Sequence, residues 1–120
     1  MTELPKLKYD LEERTAQFGE SVIEFCRKLP QDAVSRPIIS QFVRSATSIG
    51  ANYMEANAAS SKKDFCNKIF ICKKEAQETM HWLRMLAKCF PDKTSELRKF
   101  WQEAKELTLI FGKIISSLKK

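Results

Sequence analysis

A chain of 120 residues, 43% hydrophobic and 30% charged, holds one domain with one core, and this is a globular balance, not that of a disordered chain. Three glycines and four prolines among abundant Leu, Lys, Glu and Ala argue against a sheet and for helices. The net charge of +6 is uneven, −1 over residues 1–61 and +7 over 62–120, so a polyanionic partner is expected on the second half.

The first helix is predicted over about 10–29. Leu11, Phe18, Val22, Phe25 and Leu29 recur at three and four residues, one apolar stripe; Asp10 and Glu13 resemble a capping box, and Pro30 ends the run. The second helix is expected over about 37–58, with Ser35 as cap and Pro37 in the first turn. Its core stripe is Ile38, Phe42, Ala46, Ile49, Tyr53 and Ala56, and a second apolar strip, Ile39, Val43, Gly50 and Met54, lies about 100° round the helix.

The third helix is predicted over about 62–90, capped by Ser61 with Asp64. Phe65, Ile69, Cys72, Ala76, Thr79, Leu83, Leu86 and Phe90 line its inner side, while Phe70, Ile71, Trp82 and Met85 lie off it. After the turn at Pro91-Asp92, a fourth helix over about 94–118 carries Leu97, Trp101, Ala104, Leu107 or Thr108, Phe111, Ile114 and Leu118, ending near Lys119-Lys120. Four long helices with short connections imply an all-α, antiparallel up-down four-helix bundle filling 1–120, with the shallow crossing of coiled-coil-like packing.

The chemistry-bearing residues argue against an enzyme. Glu78-x-x-His81 matches one motif of di-iron bundles, but His81 is the sole histidine, so a second motif cannot exist in this chain. Nothing aligns His81 with a cysteine and an orienting group. Gly19, Gly50 and Gly112 are isolated and form no phosphate loop. Cys26, Cys66, Cys72 and Cys89 fit neither C-x-x-C nor a zinc ribbon and are read as reduced and structural. No cofactor, metal or small-molecule substrate is expected. The start Met1-Thr2-Glu3-Leu4-Pro5 lacks the features of a secretion signal, and no apolar run spans a bilayer, so a cytoplasmic protein is expected, away from membranes.

Three surface features remain. Arg44, Ser48, Asn52 and Glu55 form a polar stripe on the second helix, which is read as largely buried; Arg44 is expected to pair with Glu75 and Glu55 with Lys68, setting helix register more than building a ligand site. Lys62, Lys63, Lys73, Lys74, Arg84 and Lys88 are candidate phosphate contacts, against the plainer reading of a solvated face with helical pairs such as Lys74 with Glu78. Ile39, Val43, Met54, Phe70, Ile71, Trp82 and Met85 exceed what one bundle hides and are candidates for a homo-oligomer interface.

Arg14-Thr15-x-x-Phe18, the run QFVRSATSIGANYMEA (41–56), Ser61-Lys62-Lys63-Asp64-Phe65, Lys68, Lys74-Glu75-Ala76-x-Glu78-Thr79 and Trp82-Leu83 together resemble the bacterial four helix bundle protein family, over about residues 10–118. That family includes proteins encoded in intervening sequences of large-subunit rRNA genes, and the accessory variability determinant of diversity-generating retroelements is related. The resemblance implies a four-helix bundle. By the retroelement protein, it implies a basic homopentamer that binds nucleic acid and works with a reverse transcriptase. Arg44, Ser45, Ser48, Asn52, Glu55, Lys68, Lys74, Glu75 and Glu78 carry over as structural markers. The leading expectation is a non-enzymatic homo-oligomer offering a basic surface to RNA or a ribonucleoprotein; the alternative is a protein-interaction scaffold without a nucleic-acid role.

Overall fold

Asp10 begins the first helix: its carboxylate accepts the Glu13 backbone N–H at 3.2 Å, and α1 runs Leu11–Arg27. The Glu13 side chain turns to Gln17 instead of back to the cap, so half of the expected capping box forms. In this computed structural model, which describes residues 10–119, three further helices follow. They are α2, Ser35–Asn57; α3, Lys62–Cys89; and, after a 3₁₀ turn at Pro91–Lys93, α4, Thr94–Leu118. The segment Met1 to Pro5 and Lys120 lie outside the described residues.

The start of α2 differs from the expectation. Asp32, not Ser35, does the capping: its Oδ1 accepts from the Val34 and Ser35 backbone N–H groups at 3.0 and 2.8 Å. Ser35 Oγ returns the favour by accepting the Asp32 N–H at 3.0 Å. This reciprocal pair satisfies donors that a start at Pro37 would leave open, and it draws the helix two residues earlier. Ser61 caps α3 as its spacing predicts, accepting from Asp64 N–H at 3.0 Å.

Short connections make consecutive helices antiparallel neighbours. The α1–α2, α2–α3 and α3–α4 seams are long, whereas α1 and α4 meet only over a short stretch. The result is an all-α four-helix bundle of 45 × 28 × 20 Å, its length set by the 28-residue α3. Phe18 and Val22, Phe42 and Ile49, Ile69 and Leu86, and Leu107 and Phe111 bring the four stripes together in one core.

Several flanks differ from their helical reading. Ile39 is 5% exposed and belongs to the core, while Ile38 is only half-buried. Gly50 faces α1: a Cβ there would sit 3.3 Å from Thr15 Oγ1 and 3.5 Å from the Thr15 carbonyl carbon. Gly19 answers it from α1 against Thr47 of α2. Gly50 and Thr47 therefore meet α1, and Ile39 and Val43 of the same flank pack into the core, because each helix of a bundle packs on two neighbours and needs two apolar flanks. We expect Gly50→Val to cost roughly 1–3 kcal/mol by overpacking this crossing. Gly112→Ala, whose added Cβ would meet only Lys73 at 3.8 Å, should instead stabilise by up to about 1 kcal/mol through helix propensity. Urea melts of both variants check the contrast.

On α4 the neighbouring aromatics exchange roles. Trp101, expected inside, is 37% exposed. Phe100 turns inward, its ring 5.3 Å from Phe25 and 6.0 Å from both Phe18 and Phe42. In the last turns Ile115 is buried, while Ile114 and Leu118 are half-buried.

Between α2 and α3 the seam is polar at its centre. The Thr79 and Ser45 hydroxyls lie 2.9 Å apart, fully buried, and Cys72 Sγ donates to the Ile49 carbonyl at 3.6 Å. Among the described residues no buried side-chain nitrogen or oxygen lacks a partner. All four cysteines are free; burial pushes the Cys26 thiol up to about 11 and Cys72 up to about 12, so both stay protonated and inert.

Candidate nucleic-acid interface

The charge pattern of the second half is sorted by two arginines of the first half. Arg14 of α1 reaches α4 and grips Glu103 with two bonds, Nε to Oε2 at 2.7 Å and Nη2 to Oε1 at 2.9 Å, and touches Glu106 at 2.8 Å. Arg44 of α2 reaches α3 and pairs with Glu75 at 3.3 Å and with Glu78. The acids of α3 and α4 are thus drawn to the seams with α2 and α1. Arg84 of α3 and Arg98 of α4 are left at the groove these two helices share, while Lys68 turns to Glu55 of α2 and Lys99 to the α1–α4 groove.

The Arg44–Glu75 pair and the Lys68–Glu55 pair (2.7 Å) both form, joining α2 to α3 in register. Their surroundings differ from the expectation of a largely buried helix: the Arg44 side chain is 44% exposed, and Glu55 is more open still. Such exposed pairs contribute about 0–1 kcal/mol each, so they select register more than they hold the fold. Asn52 donates to the Ser48 carbonyl at 2.9 Å within its own helix, so these two do not extend the interhelical network.

On the plainer reading of a solvated face, Glu78 pairs with Lys74 one turn before it; Glu78 is paired with Arg44 and accepts from Trp82 Nε1 at 3.0 Å, and Lys74 acts on it only through its charge. The Trp82 bond first, then Arg44, holds the Glu78 carboxyl below its ordinary 4.5. A carboxyl depressed by folding stabilises above its unfolded value, and that contribution disappears as pH falls through the folded value. Glu78→Gln should therefore flatten the fall in melting temperature between about pH 5 and pH 3, followed by thermal melts in a Trp101→Phe background, where Trp82 emission is a local report.

Of the six candidate phosphate contacts, Lys62, Lys63, Lys74, Arg84 and Lys88 are exposed. Lys73 is half-buried, lying beside Gly112 at the α4 seam. Among the described residues none of the six is ion-paired. They form a stripe along α3, about 39 Å from end to end at the helical rise, not a compact patch. Of the apolar candidates, Met54 is 58% and Phe70 52% exposed. Val43, Ile71, Trp82 and Met85 are half-buried, and Ile39 is inside the core and cannot meet a partner.

Sequence reading missed the α4 side of this face. Arg98, Trp101 and Gln102 of α4 meet Leu83, Arg84 and Ala87 of α3 across a groove of about 460 Å³. No carboxylate lines it among the described residues. Lys105 Nζ stands 5.4 Å from the centre of the Trp101 ring on the same face. Marking the sign of each charge by helical face, not by chain half, would have found Arg98 and Lys105. A second groove, about 390 Å³ between α1 and α4, has Phe18, Phe25 and Phe100 on its floor and mixed charge at its rim, Arg14 and Lys99 with Glu96 and Glu103.

His81 is exposed and edge-on to Trp82 at 4.8 Å. Among the described residues no three His, Cys, Asp or Glu side chains converge to hold a metal ion, and no helix is long and apolar enough to cross a membrane.

The family model described as 23S rRNA-intervening sequence protein matches residues 8–113. The crystal structure of a protein of unknown function from the S23 ribosomal protein family of Bacteroides thetaiotaomicron is 30% identical, with a TM-score of 0.79. The match covers 87% of this chain and 96% of that one. No curated protein matches. A bundle with this helix order, matched by the family model along nearly its whole length, belongs to the 23S rRNA-intervening sequence protein family.

Proposed function

We propose that this protein is a non-enzymatic, cytoplasmic helical bundle that self-associates and offers the α3–α4 face to RNA, alone or within a ribonucleoprotein such as a reverse transcriptase complex. The observation that carries the reading is the segregation of charge. Arg14 and Arg44 take up Glu75, Glu78, Glu103 and Glu106, and among the described residues Lys62, Lys63, Lys73, Lys74, Arg84 and Lys88 stand outside any ion pair along one helix. An elongated stripe of unpaired cations suits a phosphate backbone, which presents charge at regular intervals. The ascription of the Bacteroides neighbour to a ribosomal protein family favours the same class of partner.

Self-association is supported by exposed Met54, Phe70 and Leu109, apolar side chains that a monomer leaves in water. A pentamer is the form implied by resemblance. Native mass measurement should give a multiple of 13.9 kDa; a stable single-chain species at about micromolar concentrations overturns self-association.

RNA binding is tested by fluorescence anisotropy with a labelled structured RNA at about 50 and 200 mM salt. Binding that weakens steeply with salt is expected. No binding even at the lower salt overturns the RNA reading in favour of a protein-interaction scaffold.

A further inference from the structure

We infer that the groove between α3 and α4 binds one unpaired base of single-stranded RNA, stacked on Trp101, with the flanking phosphates held by Arg84 and Arg98. The inference deepens the RNA reading above and rests on it. Trp101 forms one wall and stays 37% exposed, while its neighbour Phe100 is half-buried against the core on the other side of α4. Leu83, Ala87 and Leu97 give an apolar floor, and the two arginines stand at the groove with no carboxylate beside them. A π-face, a dry floor and two planar cations are what a splayed-out base with its phosphates requires.

The groove can take a base but has little with which to read its edge. Thr94 Oγ1 already donates to the Pro91 carbonyl at 2.8 Å, and the Gln102 amide donates to Glu106 at 3.1 Å. The site is therefore sequence-tolerant and selects strand state: bases in a duplex are stacked on one another and present no free face. The α1–α4 groove, also aromatic, is less suited to the same ligand: its Arg14 is already committed to Glu103, and its remaining cation, Lys99, shares the rim with Glu96.

The test compares a labelled single strand of about ten nucleotides with a blunt duplex of the same length, titrated into the full chain. Trp101→Leu should lower single-strand affinity about 5- to 150-fold, the range that stacking on one aromatic supplies, and leave duplex affinity within about twofold. Arg84→Gln with Arg98→Gln should weaken both ligands. In a Trp82→Phe background Trp101 is the one remaining tryptophan, and its emission should be quenched by the single strand and not by the duplex. This readout keeps Trp101 in place, so it stands even if Trp101→Leu folds poorly. Equal losses for both ligands, or no quenching, overturn the base site and leave the phosphate stripe. Failure of every RNA to bind overturns the stripe as well.

Discussion

Phe100→Ala should cost about 3 kcal/mol of folding stability, whereas Trp101→Ala, one residue on, should cost about 1 kcal/mol or less. Phe100 sits among Phe18, Phe25 and Phe42, rings contributed by α1 and α2, in edge-on geometries that add to the apolar burial. It matters more than its size alone predicts because α1 and α4 have little other contact. Beyond this cluster, the α1–α4 closure rests on Arg14 and its two glutamates. Removing the ring deepens the α1–α4 groove, which it floors, and strips three other rings of their shared contact. Trp101 has water on one side, so its loss removes a groove wall and no core volume. For a chain of this length 3 kcal/mol is roughly a 12 °C drop in melting temperature, measured at one fixed protein concentration because assembly shifts the midpoint. Equal costs for the two variants would reverse the assignment of faces on α4.

The second large effect is on RNA affinity. Replacing Lys63, Lys74, Arg84 and Lys88 together by glutamine should weaken binding about 100-fold or more at low salt and lower the magnitude of the salt slope by up to about 3. Each phosphate contact releases counterions, contributing roughly 0.7–0.9 to that slope. Lys68→Gln is the matched control: its ammonium is held by Glu55 on the α2 side, so the slope should stay as it is. Stability should be unchanged or slightly raised in the fourfold variant, since like charges along one face repel. Circular dichroism and a melting curve separate this outcome from unfolding. A fourfold variant with unaltered slope would take the stripe out of the interface.

Helix-level features were legible because they are local. Asp10 and Ser61 announce their helices through a side chain three residues from the N–H it accepts. The Arg44–Glu75 and Lys68–Glu55 pairs could be read because long antiparallel neighbours bring equivalent flanks together. The Asp32–Ser35 start of α2 was hidden within an apparent loop, since both residues suit turns as well as caps. The Arg44–Glu78 pair was hidden for a related reason: Lys74 is close to Glu78 in sequence, whereas Arg44 comes from another helix.

The amino-acid sequence by itself determined that four helices form, about where they begin and end, and that the second half is basic, because period, caps and composition are properties of short stretches of chain. It took the packed bundle to show that Ile39 is core and Gly50 meets α1, that Phe100 and not Trp101 packs against the core, and that Arg14 and Arg44 draw four acids of α3 and α4 to themselves. A helical period gives the angle between side chains on one helix but not which neighbour lies at each angle. That depends on how two apolar flanks per helix are shared among partners far apart in the chain.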